Sequence, residues 1–117
     1  MEYTCAKTRF DFRILHAWQA TAYSIRDRLI ERLNDTNESV EEQKLPKVHM
    51  LSSEFMLGRL MQVNLVNIGL EAKFTEALQN LGYSLTQIYE QEAEQGLGMA
   101  GLGVTTVSTL EQKANLN

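Results

Sequence analysis

At 117 residues the chain has the size of a single domain with room for one core, and 44% hydrophobic with 22% charged residues is a globular rather than a disordered composition. The net charge of -4 excludes a general nucleic-acid binder. No apolar run approaches the roughly 20 residues of a membrane span, and the N-terminus carries no signal-peptide core, so the chain reads as cytoplasmic without membrane or nucleic-acid partners.

The single cysteine, Cys5, excludes an internal disulfide and fits a reducing compartment. A small, half-buried role suits it better than a reactive thiol, because no motif sets His16 or His49 beside it. No metal site is expected, since His49 has no second ligand at a useful spacing.

Phe12 to about Lys44 reads as one long helix. Leu15, Trp18, Ala22, Ile25, Leu29 and Leu33 recur at three- and four-residue steps and form one apolar stripe, with no Pro or Gly between them. Arg26, Arg28 and Arg32 interleave with Asp27 and Glu31 as a solvated face. Beyond Leu33 the rhythm stops, so residues 34–44 are either a polar projecting helix or a break with a restart at Ser39, where Ser39 and Glu42 have capping-box spacing. Pro46 ends the segment in both cases.

Val48-His49-Met50-Leu51 predicts a short strand over 48–51, with no partner strand elsewhere in the chain. Three further helices are expected: 54–68, capped by Ser52 or Ser53 and stopped by Gly69; 71–81, stopped by Gly82; and 84–94. The last opens with a Ser84–Gln87 capping box and a Tyr83–Ile88 staple. The methionines and aromatics of these helices stand at core spacing.

Four of the seven glycines fall in Gly96-Leu97-Gly98-Met99-Ala100-Gly101-Leu102-Gly103. This Gly-rich loop, 96–103, is either a flexible connector or a turn whose N–H groups cradle an anion, the second aided by a helix starting near Leu102 or Gly103. Its G-x-G-x-x-G spelling is not a dinucleotide fingerprint, because an acidic helix and not a strand precedes it. The β-branched run Val104-Thr105-Thr106-Val107 has poor helix propensity, so residues 104–117 are expected as a degraded helix.

These blocks together resemble one family. Ser52-Ser53-Glu54-Phe55-Met56-Leu57-Gly58-Arg59 is similar to the S-x-E-F-x-x-G-R segment of the α-glucan (glycogen or starch) phosphorylases, and the glycine stretch resembles their G-L-G-N-G-G-L-G-R loop. Gln19 to Leu29 and Ala77 to Leu85 are similar to helices that open the family fold, in the same order. The likeness runs from Glu2 to Gly103.

The resemblance implies a glycosyltransferase that cleaves α-1,4-glucan with phosphate and releases glucose 1-phosphate, using pyridoxal phosphate. It implies homodimers and an α/β fold of two Rossmann-like domains (GT-B type). Residues 1–117 would be a partial N-terminal domain of that fold, mainly α with one short strand. It would carry no complete catalytic set, would be inactive and unable to bind the cofactor alone, and would self-associate. By the same resemblance Glu54 falls on the acidic residue beside the sugar site. Gly101 and Leu102 fall on the loop facing phosphate and sugar, with Gly101 also the nearest candidate for a cofactor contact. Arg59 matches a motif position and is expected in a structural ion pair.

Met99 stands where the family has Asn, Ala100 where it has Gly and Val104 where it has Arg. The cofactor lysine belongs to the C-terminal domain of the family. The alternatives are a non-catalytic helical interaction module and a truncated product without function.

Overall fold

The computed structural model describes residues 11–99 and 101–116. The expectations for Cys5, for Ala100 and for the family-like stretch at Glu2 lie outside the described residues. The order of elements is α1 (Ile14–Glu42), β1 (Phe55–Gly58), α2 (Met61–Asn67), α3 (Glu71–Asn80), α4 (Leu85–Tyr89), β2 (Gln95–Leu97) and α5 (Gly101–Leu116). The chain divides into two compact units. One takes the described chain up to Pro46 with Met61–Glu92, and the other takes Lys47–Leu60 with the chain from Ala93 onward.

The first unit is helical. The long predicted helix forms without a break, so residues 34–42 continue it and the Ser39–Glu42 box is interior to α1. At its start the backbone N–H of Arg13 donates to His16 Nδ1 at 3.0 Å. The buried face of α1 is Ala17, Ala20, Thr21 and Ile25, whereas Leu15 and Leu33 of the predicted stripe are half exposed. Small side chains let neighbouring helices approach closely, and a pattern built on the largest apolar residues misses that.

Ala17 and Ile25 pack with Met61, Leu65, Ile68, Leu78, Leu85 and Ile88, of which Leu65 and Ile88 are wholly buried. Burying each such side chain is worth about 1.5–3 kcal/mol. Of the arginine cluster, Arg28 pairs with Glu31 at 3.0 Å in solvent, while Arg32 donates to the Ile68 carbonyl at 3.3 Å and so caps the chain leaving α2.

Gly69 and Gly82 follow α2 and α3 as predicted. The Ser84 box forms, with the Ser84 N–H donating to Gln87 Oε1 at 3.3 Å. The helix after it ends at Tyr89 instead of residue 94, because the chain turns there to feed β2. The Tyr89 hydroxyl donates to Glu71 Oε1 at 3.4 Å, and burial, the Glu71 charge and this bond push its pKa from 10.0 up to about 12.

The second unit corrects three expectations. Residues 48–51 are not a strand: Val48 and Leu51 are 78% and 98% exposed and the segment pairs with nothing among the described residues. The strand lies later, at Phe55–Gly58, inside the predicted helix 54–68, of which only Met61–Asn67 is helical. It has a partner in the chain, pairing antiparallel with β2 as Phe55↔Leu97, Met56↔Gly96 and Gly58↔Gln95, with a bulge between Met56 and Gly58. The apolar spacing from Met56 to Ile68 runs through a strand and a helix in succession, and a short apolar run does not distinguish them. The fold class is therefore mainly α with a two-stranded sheet.

The predicted loop 96–103 resolves into β2, a turn and the first residues of α5. α5 forms despite its β-branched residues. Thr105, Thr106 and Thr109 each turn their hydroxyl back to the carbonyl four residues earlier, at 3.0, 2.8 and 2.7 Å. Val107 and Thr106 are buried on the side that meets β1. No described helix is long and apolar enough to cross a membrane.

Candidate functional site

The glycine motif and the Ser-Ser-Glu-Phe motif meet within the second unit, and each explains the spacing of the other. β1 lies along β2 so that Met56 stands opposite Gly96. A Cβ on Gly96 would come within 2.8 Å of Met56 Sδ, and one on Gly103 within 3.1 Å of the Met56 backbone nitrogen. The Met56 side chain thus occupies room that both glycines leave, which lets the start of α5 lie directly on the strand. Gly58 takes φ +69 at the bulge, where glycine alone among residues pays no Cβ penalty.

Glu54 occupies the other side of the turn. Gly98 has φ +110, and a Cβ there would lie 2.6 Å from Glu54 Cδ. Glycine is required at Gly98 twice over, for its backbone conformation and for the passage of the Glu54 side chain beneath it. Ser52 holds the approach to Glu54. Its Oγ accepts the Glu54 N–H at 3.2 Å, donates to the Glu54 carbonyl at 2.9 Å and lies 3.1 Å from Thr106 Oγ1. The serine predicted as a helix cap thus braces a strand entrance against α5.

Glu54 Oε2 is buried and has no hydrogen-bond partner among the described residues. A buried carboxylate oxygen without a donor carries a desolvation cost that an incoming hydroxyl or N–H relieves. Close by, α5 opens at Gly101, whose N–H donates to the Met99 carbonyl at 3.0 Å. First-turn N–H groups of a helix have no intrahelical acceptors, and the end carries partial positive charge. Leu102 is 56% exposed and Met99 87% exposed at this edge. The arrangement pairs one carboxylate acceptor with a helix start, a combination suited to a polyhydroxylated, anionic ligand.

Glu54 and the Gly101–Leu102 helix start are thus brought into one unit, while Arg59 is exposed and forms no ion pair among the described residues. The expected structural pair for Arg59 is not found there. No cluster of three His, Cys, Asp or Glu among the described residues could hold a metal. The brace from Ser52 to Thr106 and the packing of Met56 against two glycines were not anticipated. The available signal was the glycine at each end of the stretch, Gly96 and Gly103, the two that leave room for Met56.

No protein-family profile matches the chain. Individual relatives do. Glycogen phosphorylase 2 of Dictyostelium discoideum is 38% identical over 117 residues, covering 100% of this chain and 12% of that protein. The α-1,4 glucan phosphorylase L-2 isozyme of Solanum tuberosum is 37% identical over 116 residues, 99% of this chain and 12% of its own length. The cytosolic α-glucan phosphorylase 2 of Arabidopsis thaliana is 38% identical over 101 residues, 86% of this chain. The chain spans about 12% of the length of these curated relatives. Matched along its whole length by proteins of one kind, this chain belongs to the α-glucan phosphorylase family.

Proposed function

We propose that the chain forms the sugar- and phosphate-facing edge of an α-glucan phosphorylase, as a partial N-terminal domain of a GT-B type fold. In that enzyme terminal α-1,4 links of a glucan are cleaved by phosphate to give glucose 1-phosphate. The observation that carries the reading is the Glu54 side chain under Gly98, one carboxylate oxygen buried and without a donor, beside the start of α5. Glu54 would accept a sugar hydroxyl, and the start of α5 at Gly101 and Leu102, with the Leu102 backbone N–H as donor, would face the anionic end of the substrate.

Pyridoxal phosphate, the cofactor that the family resemblance implies, would supply an acid/base partner for the substrate phosphate. The described lysines do not fit a covalently held cofactor, since Lys44, Lys47, Lys73 and Lys113 are all exposed. The residues present bind and orient. Among the described residues they hold no proton-transfer set of their own; the separate 117-residue chain is expected to be inactive, and a cytoplasmic homodimer is the setting that suits the whole enzyme.

The test is a chimera in which this segment replaces the matching segment of the Dictyostelium relative. Glucose 1-phosphate release and cofactor absorbance are measured together. Full cofactor with turnover lowered by Met99, Ala100 and Val104, and raised about 100-fold by Met99→Asn, Ala100→Gly and Val104→Arg, supports the reading. A further Glu54→Gln that leaves turnover of the restored chimera unchanged overturns the assignment of Glu54. Release of glucose 1-phosphate by the separate 117-residue chain overturns its dependence on a larger fold.

A further inference from the structure

Glu92 carries a carboxylate that the proposed site does not use, in a residue only 6% exposed. Both of its oxygens accept the Met61 N–H, at 3.2 and 3.1 Å. Met61 opens α2, so this bond satisfies a donor that a helix start leaves without an intrahelical acceptor, and negative charge is favourable there. A helix cap alone would complete the account, were it not for where the bond falls along the two strands.

β1 and β2 pair Phe55 with Leu97 and Met56 with Gly96, slip by one residue at the bulge, and resume with Gly58 opposite Gln95. Three residues on from Gly58 is Met61, and three residues back from Gln95 is Glu92. Counted past the last backbone pair, the register after the bulge lands on the Met61–Glu92 bond. A side chain there continues a ladder that the backbone has left.

We propose that Glu92 is a positioning residue that fixes the register of β1 on β2 after the bulge, and through it the seat of Glu54 beneath Gly98. The ladder needs such a device. With strands of four and three residues it has few backbone bonds to resist slippage. A slip of one residue would set Gln95 or Leu97 opposite Met56 in place of Gly96, and neither leaves room for the methionine side chain. A carboxylate acceptor taken from water and held on the Met61 N–H gives a stronger and more directional bond than a neutral pair, which suits it to hold a register. As a statement about the Glu54 turn, this inference rests on the proposed function; as a statement about register, it does not.

Residue-resolved hydrogen exchange on the full 117-residue chain, its Glu92→Ala and its Glu92→Gln variants tests it. In Glu92→Ala the amides of Met61 and of both strands should exchange at least about tenfold faster, while those of α3 keep their rates. Glu92→Gln retains an oxygen that can accept the Met61 N–H and should recover most of the strand protection. Acceleration confined to Met61 and its neighbours in α2 would reduce Glu92 to a helix cap and overturn the proposal. Acceleration of every amide together, in both variants, would make it a general stability element and overturn it equally. No enzymatic activity enters the measurement, so the register can stand or fall independently of the phosphorylase reading.

Discussion

In the first unit Leu65 and Ile88 are wholly buried among other apolar side chains, whereas in the second the closest approaches are those of Met56 to Gly96 and Gly103 and of Glu54 to Gly98. The helical unit is stabilised by volume that is filled, and cores of that kind accept many substitutions of similar size. The strand-and-turn unit depends on volume that glycine leaves open, and there a single added methyl group has nowhere to go. One region records its structure in which residues are large, the other in which residues are absent from the space between backbones.

Four measurements test this contrast, beginning with the largest effect. Leu65→Ala should cost about 3 kcal/mol, since it deletes a fully buried side chain and leaves a cavity. Urea denaturation monitored by far-ultraviolet circular dichroism measures it. A loss under 1 kcal/mol would mean that the helical unit is loosely packed and the contrast is overstated. Gly98→Ala should cost about 2 kcal/mol, from a positive φ and a collision with Glu54 at once. Hydrogen exchange should show this loss in β1, β2 and α5 while Leu78 and Ile88 keep their protection. Equal loss in both units would remove the distinction between them.

Thr106→Val keeps the shape of a residue that is only 2% exposed but removes the hydroxyl facing Ser52. The expected cost is about 1 kcal/mol, and Ser52→Ala made on top of it should cost less than Ser52→Ala alone, because the Ser52 contact with Thr106 is then already gone and only its two bonds to Glu54 remain to be lost. Additive losses in that double-mutant cycle would show that Ser52 braces the strand by another route.

The smallest effect is expected for Tyr89→Phe, whose difference from the unaltered chain changes with pH only in alkali. The folded-state pKa of Tyr89 lies near 12 against an ordinary 10.0, so its contribution is fully present below pH 10 and is lost as pH rises towards 12. Over that window the unaltered chain should lose stability more steeply than Tyr89→Phe. Parallel pH profiles for the two chains would show that the Glu71–Tyr89 bond has no role in folding.

The two units were not equally legible. Long apolar periodicity marked α1, and capping chemistry marked the start of α4 at Ser84, because both signals are local. Leu15 and Leu33 misled within α1, since the buried face there belongs to Ala17, Ala20 and Thr21. In the second unit Met56, Leu57 and Leu60 fell at helical spacing although the first two lie in a strand, and Val48–Leu51 had strand composition without a strand's partner. What decides both cases is the encounter of residues about forty positions apart, Met56 with Gly96 and Glu54 with Gly98. No window of sequence contains that encounter. Helix formation by Thr105, Thr106 and Thr109 was hidden for a different reason: propensity counts the side-chain entropy of threonine but not the carbonyl each hydroxyl finds. The candidate site residues Glu54, Gly101 and Leu102 were reached through family motifs, and the physical reason for the motif spacing came only with the packing of Met56.

Met56 carries one further consequence. Its sulfur sits against Gly96 in a gap that has no room for a Cβ. Oxidation by peroxide would add one polar oxygen to that thioether, and a sulfoxide is larger, stiffer and hungry for hydrogen bonds. A single chemical event on one atom would then do to the turn what Gly96→Ala does by mutation, and methionine sulfoxide reductase could reverse it. The solvent-exposed Met99 offers the internal control, since its oxidation should leave the exchange of β1 and β2 unchanged.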